Sequence, residues 1–89
     1  IDTYNHVNNT RYVEWMLEAV PFKIHREFYP ASLEVSYRKE TVYGAYVLSE
    51  TRQEPEVSGI LKFYHRIRDK ADGAELARAV TVWKRVQAD

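Results

Sequence analysis

The densest polar cluster in the sequence is Asp2, Thr3, Tyr4, Asn5, His6, Asn8 and Asn9, set immediately before a stretch patterned as a helix. Free backbone N–H groups and the positive end of the helix dipole converge at such a start. A developing oxyanion would be stabilised there. On the residues alone a simpler reading is available, in which Asn8 and Asn9 cap the helix and His6 is a hydrogen-bonded turn histidine.

A second candidate is Glu40, which closes Tyr37-Arg38-Lys39-Glu40 at the far end of a strand. From there a carboxylate could face the helix start and polarise water. A solvated charge paired with Arg38 or Lys39 explains it equally well by composition. Strict alternation puts Glu40 on the polar face with Glu34 and Ser36, so an inward site requires a bulge, a twist or a site at the sheet edge. His25 and His65 have no companion at metal-ligand spacing, and His65 reads as structural or exposed. No Gly-rich phosphate loop, GxSxG elbow or Walker pattern occurs, so neither metal nor cofactor is expected.

The elements that must position these groups follow from periodicity. Over residues 8–20, Tyr12, Trp15, Met16 and Ala19 recur at helical spacing, and Val13, Leu17 and Val20 widen the stripe, which predicts a buried helix ended by Pro21. Residues 22–29 have weak periodicity and stop at Pro30, which predicts an irregular segment. After Pro30 the period becomes two, with Leu33, Val35 and Tyr37 on one face and Glu34, Ser36, Arg38 and Glu40 on the other. Three further strand-like runs, 42–53, 60–69 and 74–85, are rich in β-branched and aromatic residues. Pro55 and Gly59 mark one turn, and Asp72-Gly73 is a strong hairpin signal because Gly tolerates positive φ. One helix followed by a meander of four antiparallel strands predicts an α+β sheet curled around that helix, the hot-dog arrangement. Leu61, Phe63, Ala79, Val80 and Val82 spill past strict alternation, which predicts a second sheet face that pairs with another sheet. Trp15 and Trp83 read as core, Trp15 with the option of touching an acyl chain.

Thirteen Lys+Arg balance thirteen Asp+Glu over 89 residues, so no field-driven affinity for nucleic acid or membrane is implied. With 45% hydrophobic residues, the chain can form one core. A domain of this size buries only about 60 to 65% of its unfolded surface, so a partner surface is expected. The absence of Cys excludes disulfides and a thiolate nucleophile and fits a reducing compartment such as the cytoplasm, while also permitting secretion. No apolar run reaches the roughly 20 residues of a membrane span. Ile1-Asp2-Thr3 reads as the middle of a longer protein.

His6-Val7-Asn8-Asn9, followed by Tyr12 and Trp15-Met16-Leu17-Glu18-Ala19-Val20-Pro21, resembles the catalytic half of the acyl-acyl carrier protein thioesterases of plants and bacteria. The block Leu33-Glu34-Val35-Ser36-Tyr37-Arg38-Lys39-Glu40 is similar to that family's strand motif, which ends in a glutamate. The His-Val-Asn-Asn motif is shared with other hot-dog thioesterases; two ordered blocks covering essentially the whole chain are more specific. The resemblance implies that residues 1–89 are one hot-dog domain, the C-terminal catalytic half of a tandem hot-dog protein, without its first strand. It implies hydrolysis of fatty acyl thioesters of the carrier protein, with Asp2, His6 and Glu40 as catalytic residues. Metal and cofactor have no part in that chemistry.

The implied partners are the N-terminal hot-dog domain, which supplies much of the acyl groove, and the acidic carrier protein; a homodimer is an alternative assembly. Arg11, Lys23, Arg26, Arg38 and Lys39 are candidates for the carrier's docking patch or ordinary solvated charges. The chain departs from the family pattern at Tyr4, where an asparagine is usual, with Asn5 one position out of register. Thr41 replaces the cysteine of plant members and suits a bacterial one. Two rival readings are an acyl-CoA hot-dog thioesterase and a non-catalytic acyl-binding domain.

Overall fold

A computed structural model describes residues 9–38 and 46–87, apart from the side chains of Asn9 and Thr10. It comprises α1 (Asn9–Glu18), α2 (Phe22–Glu27), β1 (Phe28–Tyr37), β2 (Val47–Gln53), β3 (Ile60–Asp69) and β4 (Glu75–Arg85). The strands form one antiparallel sheet in the order β1-β4-β3-β2. The expected meander therefore holds only from β2 to β4. The strand β1 pairs with β4 at the opposite edge from β2, an arrangement that alternation within each strand cannot reveal.

Helix α1 lies against one face of this sheet. Its buried residues Tyr12, Met16 and Val20 follow i, i+4 spacing, whereas Trp15 and Leu17 are half-buried and Ala19 is exposed. Among the described elements the sheet covers one side of the helix, so the wide apolar stripe is only partly enclosed. Tyr12 and Met16 pack with Ile67, Leu76, Ala77 and Ala79. Val20 joins Ile24, Phe28, Leu61, Phe63 and Trp83 in a second cluster. Each fully buried Val, Leu, Ile, Met or Phe among them contributes about 1.5–3 kcal/mol by leaving water.

Residues 22–27, expected to be irregular, are helical. Pro21 presets the entry, the Ile24 N–H donates to the Pro21 carbonyl at 2.9 Å, and Ile24 is buried in the second cluster. Tertiary burial of one side chain overrides weak local periodicity. Pro30, expected to end this segment, instead lies inside β1 opposite Trp83. It is tolerated because β1 is an edge strand among the described strands, and the register shifts between Pro30 and Ser32.

The apparent spill of apolar residues also has a different cause from the one expected. Leu61, Phe63 and Ala79 alternate regularly onto the helix-facing side, with His65, Ile67, Thr81 and Trp83. Only Val80 and Val82 belong to the outer face. The consecutive buried pair Leu76-Ala77 arises from a bulge, since Ile67 opposes Ala77 and Arg68 opposes Glu75. The β3–β4 hairpin closes at Gly73, whose φ of 75° places it in the left-handed region. Asp69 and Asp72 carboxylates accept from the Ala71 and Ala74 N–H groups at 2.8 Å and fix the turn.

Candidate functional site

The start of α1 and the end of β1 meet at one end of the sheet. The Tyr12 ring lies 6.3 Å from Tyr37 and 5.8 Å from Trp15, and the Arg38 N–H donates to the Leu76 carbonyl at 2.7 Å. Asp2, His6 and Glu40 lie outside the described residues, as do Tyr4, Asn5, Lys39 and Thr41. Their anchors are described. His6 stands three residues before Asn9, the first residue of α1, and Glu40 stands three residues after Tyr37, the last of β1. In sequence, His6 precedes and Glu40 follows the two described elements that meet at this end of the sheet.

Between the two apolar clusters runs a buried polar row that the sequence reading left unassembled. His65 and Thr81 are both buried on the helix-facing side. Trp83 Nε1 donates to Thr81 Oγ1 at 2.9 Å, and Thr81 Oγ1 lies 2.8 Å from His65 Nε2. The other ring nitrogen, Nδ1, lies 3.4 Å from Thr51 Oγ1, so both ring nitrogens face a hydroxyl that can donate or accept and the tautomer sets the direction of each bond. Burial pushes the His65 pKa down to about 4. In-phase placement of Thr51, His65 and Thr81 is a legible signal only once the register is known.

A neutral buried histidine makes stability depend on pH with a definite sign. The unfolded imidazole takes up a proton at about pH 6.5, whereas the folded one resists until about 4. The contribution is therefore fully present above about pH 6.5 and is lost as pH falls toward 4. At pH 4.5 the loss is about 2.5 kcal/mol. Urea midpoints of the full-length protein should fall more steeply between pH 7 and 4.5 than those of His65→Gln; equal slopes would contradict this assignment.

The outer face of the sheet carries a groove of about 660 Å³ whose lining includes Glu50, Arg52, Tyr64, Arg66, Arg78 and Val80. Glu50 pairs with Arg66 at 2.9 Å and with Arg68 at 3.4 Å. Glu75 pairs with Arg78 at 2.9 Å and with Arg38 at 3.4 Å. The hydrogen bond from Arg66 holds the Glu50 carboxyl below its usual range, and that from Arg78 does the same for Glu75. Arg52 stacks over Tyr64 with its guanidinium carbon 4.7 Å from the ring centroid.

Among the described residues the expected docking residues divide between α2 and the end of the sheet where α1 begins. Lys23 and Arg26 sit on α2, beside the cluster of Ile24, Phe28 and Trp83, while Arg38 lies at the end where α1 begins, near Tyr37. Arg11 pairs with Glu14 on α1 at 3.7 Å. Trp83 is core, whereas Trp15 lines a shallow groove with Ala19 and Val47. Among the described residues no group of three or more His, Asp or Glu could hold a metal ion, and no helix is long and apolar enough to cross a membrane.

Comparison with known proteins gives a consistent result. Residues 1–85 match the model of the acyl-ACP thioesterase C-terminal domain. The chloroplastic dodecanoyl-acyl-carrier-protein hydrolase of Cinnamomum camphora is 31% identical over 84 residues, covering 94% of this chain and 22% of that protein. The solved 12:0-ACP thioesterase from Umbellularia californica superimposes with a TM-score of 0.88 at 31% identity, over 97% of this chain and 31% of that one. A thioesterase from Thermus thermophilus has a TM-score of 0.84 at 22% identity, over 99% of this chain and 76% of that one, and supports the fold alone. The chain spans about a fifth of the length of the curated relatives it matches.

Proposed function

The chain belongs to the acyl-ACP thioesterase C-terminal domain family, and from that premise we propose that its full-length protein hydrolyses fatty acyl-acyl carrier protein thioesters to free fatty acid and the carrier thiol. The observation that carries this reading is the family match over residues 1–85, which includes both motif blocks. The hot-dog fold, α+β with a helix against an antiparallel sheet, is the scaffold.

A thioester is an activated acyl group, so the protein must supply a positioned oxygen nucleophile and donors for the tetrahedral oxyanion. In this mechanism Glu40 and His6 position and deprotonate water. Asp2 orients the histidine or attacks as a carboxylate nucleophile. N–H groups at the start of α1 receive the oxyanion. The meeting of the α1 start with the β1 end, the described elements that flank His6 and Glu40 in sequence, supports this division of labour.

The N-terminal hot-dog domain of the same protein would cover what the described residues leave open. The helix-facing residues Leu33 and Tyr37 of β1 are 42% and 43% exposed, and among the described strands β1 pairs on one side only. A homodimer would meet the same need. The proposed setting is the bacterial cytoplasm, in keeping with the absence of Cys and with Thr41.

Incubating the full-length protein with palmitoyl-acyl carrier protein and weighing the carrier by mass spectrometry tests the reading. The expected product is the deacylated carrier with stoichiometric free palmitate. An intact acylated carrier in the presence of a folded protein that retains acyl chains would make this a binding domain instead.

A further inference from the structure

Two arginines face each other at the centre of the sheet. Arg66 of β3 stands opposite Arg78 of β4, and these are the two interior strands. Like charges directly opposite destabilise a sheet. The sequence keeps them, together with Arg38, Arg52 and Arg68, and sets three carboxylates beside them: Glu50 and Glu75, each shared between two guanidiniums, and Glu34 on the lining of the same groove. Five positive charges against three negative leave a basic surplus on one patch of a chain whose net charge is zero. The guanidiniums are held in place. Arg78 makes two bonds of 2.9 Å to Glu75, and Arg68 Nε donates to the Gly73 carbonyl at 3.2 Å.

We propose that this outer-face arginine patch docks an acidic protein surface, that of the carrier which delivers the thioester. The inference rests on the acyl-carrier reading above and names where the carrier binds. Placement favours it. Arg38 follows β1 and stands two residues before Glu40, and Glu75 and Arg78 lie on β4 beside the end of the sheet where α1 begins. A carrier bound there sits at the end of the sheet where α1 begins and β1 ends. Charge also selects among occupants. A second copy of this chain would present the same basic surplus and be repelled, whereas an acidic surface is attracted and its encounter accelerated. Tyr64, Val80 and the stacked Arg52 supply apolar and aromatic contact in the groove between the charges.

The test compares one acyl chain on two carriers with the full-length protein and its Arg66→Glu/Arg78→Glu variant. At low salt the variant should lose at least about tenfold in kcat/KM on the acyl-carrier substrate through KM, with little change on the acyl-CoA substrate, and the loss should shrink as salt rises. A neutral Arg66→Gln/Arg78→Gln variant, which removes the opposed pair without creating repulsion, should show a smaller loss in the same direction. Unchanged carrier KM in both variants, with carrier turnover intact in the parent, overturns the docking site alone. Absence of carrier turnover in the parent overturns the functional reading beneath it. A shift from dimer to monomer in sedimentation with carrier KM unmoved assigns the patch to a second copy and also overturns the proposal.

Discussion

Replacing His6 with alanine in the full-length protein is expected to lower kcat on an acyl-acyl carrier protein by about 10²–10⁴-fold while KM changes little. The reason lies in the timing of the interaction. A group that takes a proton from water as the thioester is attacked stabilises the transition state more than the bound substrate, so its loss appears in kcat. Glu40→Ala should fall in the same range. In the proposed mechanism both groups act on one water, so the double variant should be little slower than the worse single one. Steady-state hydrolysis by the three proteins, each checked for a native unfolding transition, measures this. Near-normal kcat in Glu40→Ala would remove Glu40 from the mechanism, and an additive double variant would mean that the two residues act separately.

The largest stability effect is expected at Trp83. Its side chain is fully buried on an interior strand, edge-on to Phe63 at 6.3 Å and to His25 at 5.0 Å, with its N–H bonded to Thr81. Alanine there leaves a large cavity at the junction of α2 and the sheet, at a cost of about 3–5 kcal/mol. Trp83→Phe keeps most of the apolar volume and loses the indole donor, which should cost about 1–2 kcal/mol. Phe22→Ala is the contrast. Phe22 is 75% exposed, and its removal should change stability by no more than about 0.5 kcal/mol. Urea unfolding of the full-length protein orders the three, and a Trp83→Ala cost below that of Trp83→Phe would contradict the packing described here.

What was readable in the sequence follows the range of the interactions involved. Strands β3 and β4 and their hairpin were plain because alternation and the Asp72-Gly73 turn are local signals. Helix α1 was equally plain, although its depth of burial was not, since that depends on what covers its other side. Helix α2 was missed because its stability comes from Ile24 reaching Phe28 and Trp83, a contact with no local signature. The pairing of β1 with β4, the His65-Thr81-Trp83 row and the facing arginines all depend on register, which a single strand does not encode. The catalytic candidates were legible in a different way: Asp2, His6 and Glu40 stood out through the resemblance of two motif blocks, while the residues alone equally allowed caps and solvated charges.

The most direct test of the central claim is the ratio of kcat/KM for one fatty acyl chain presented on acyl carrier protein and on coenzyme A to the full-length protein. Preferential hydrolysis of the carrier substrate, lost in His6→Ala, is the expected result. Equal or greater turnover of the coenzyme A substrate, or no hydrolysis of either by the folded protein, would contradict it.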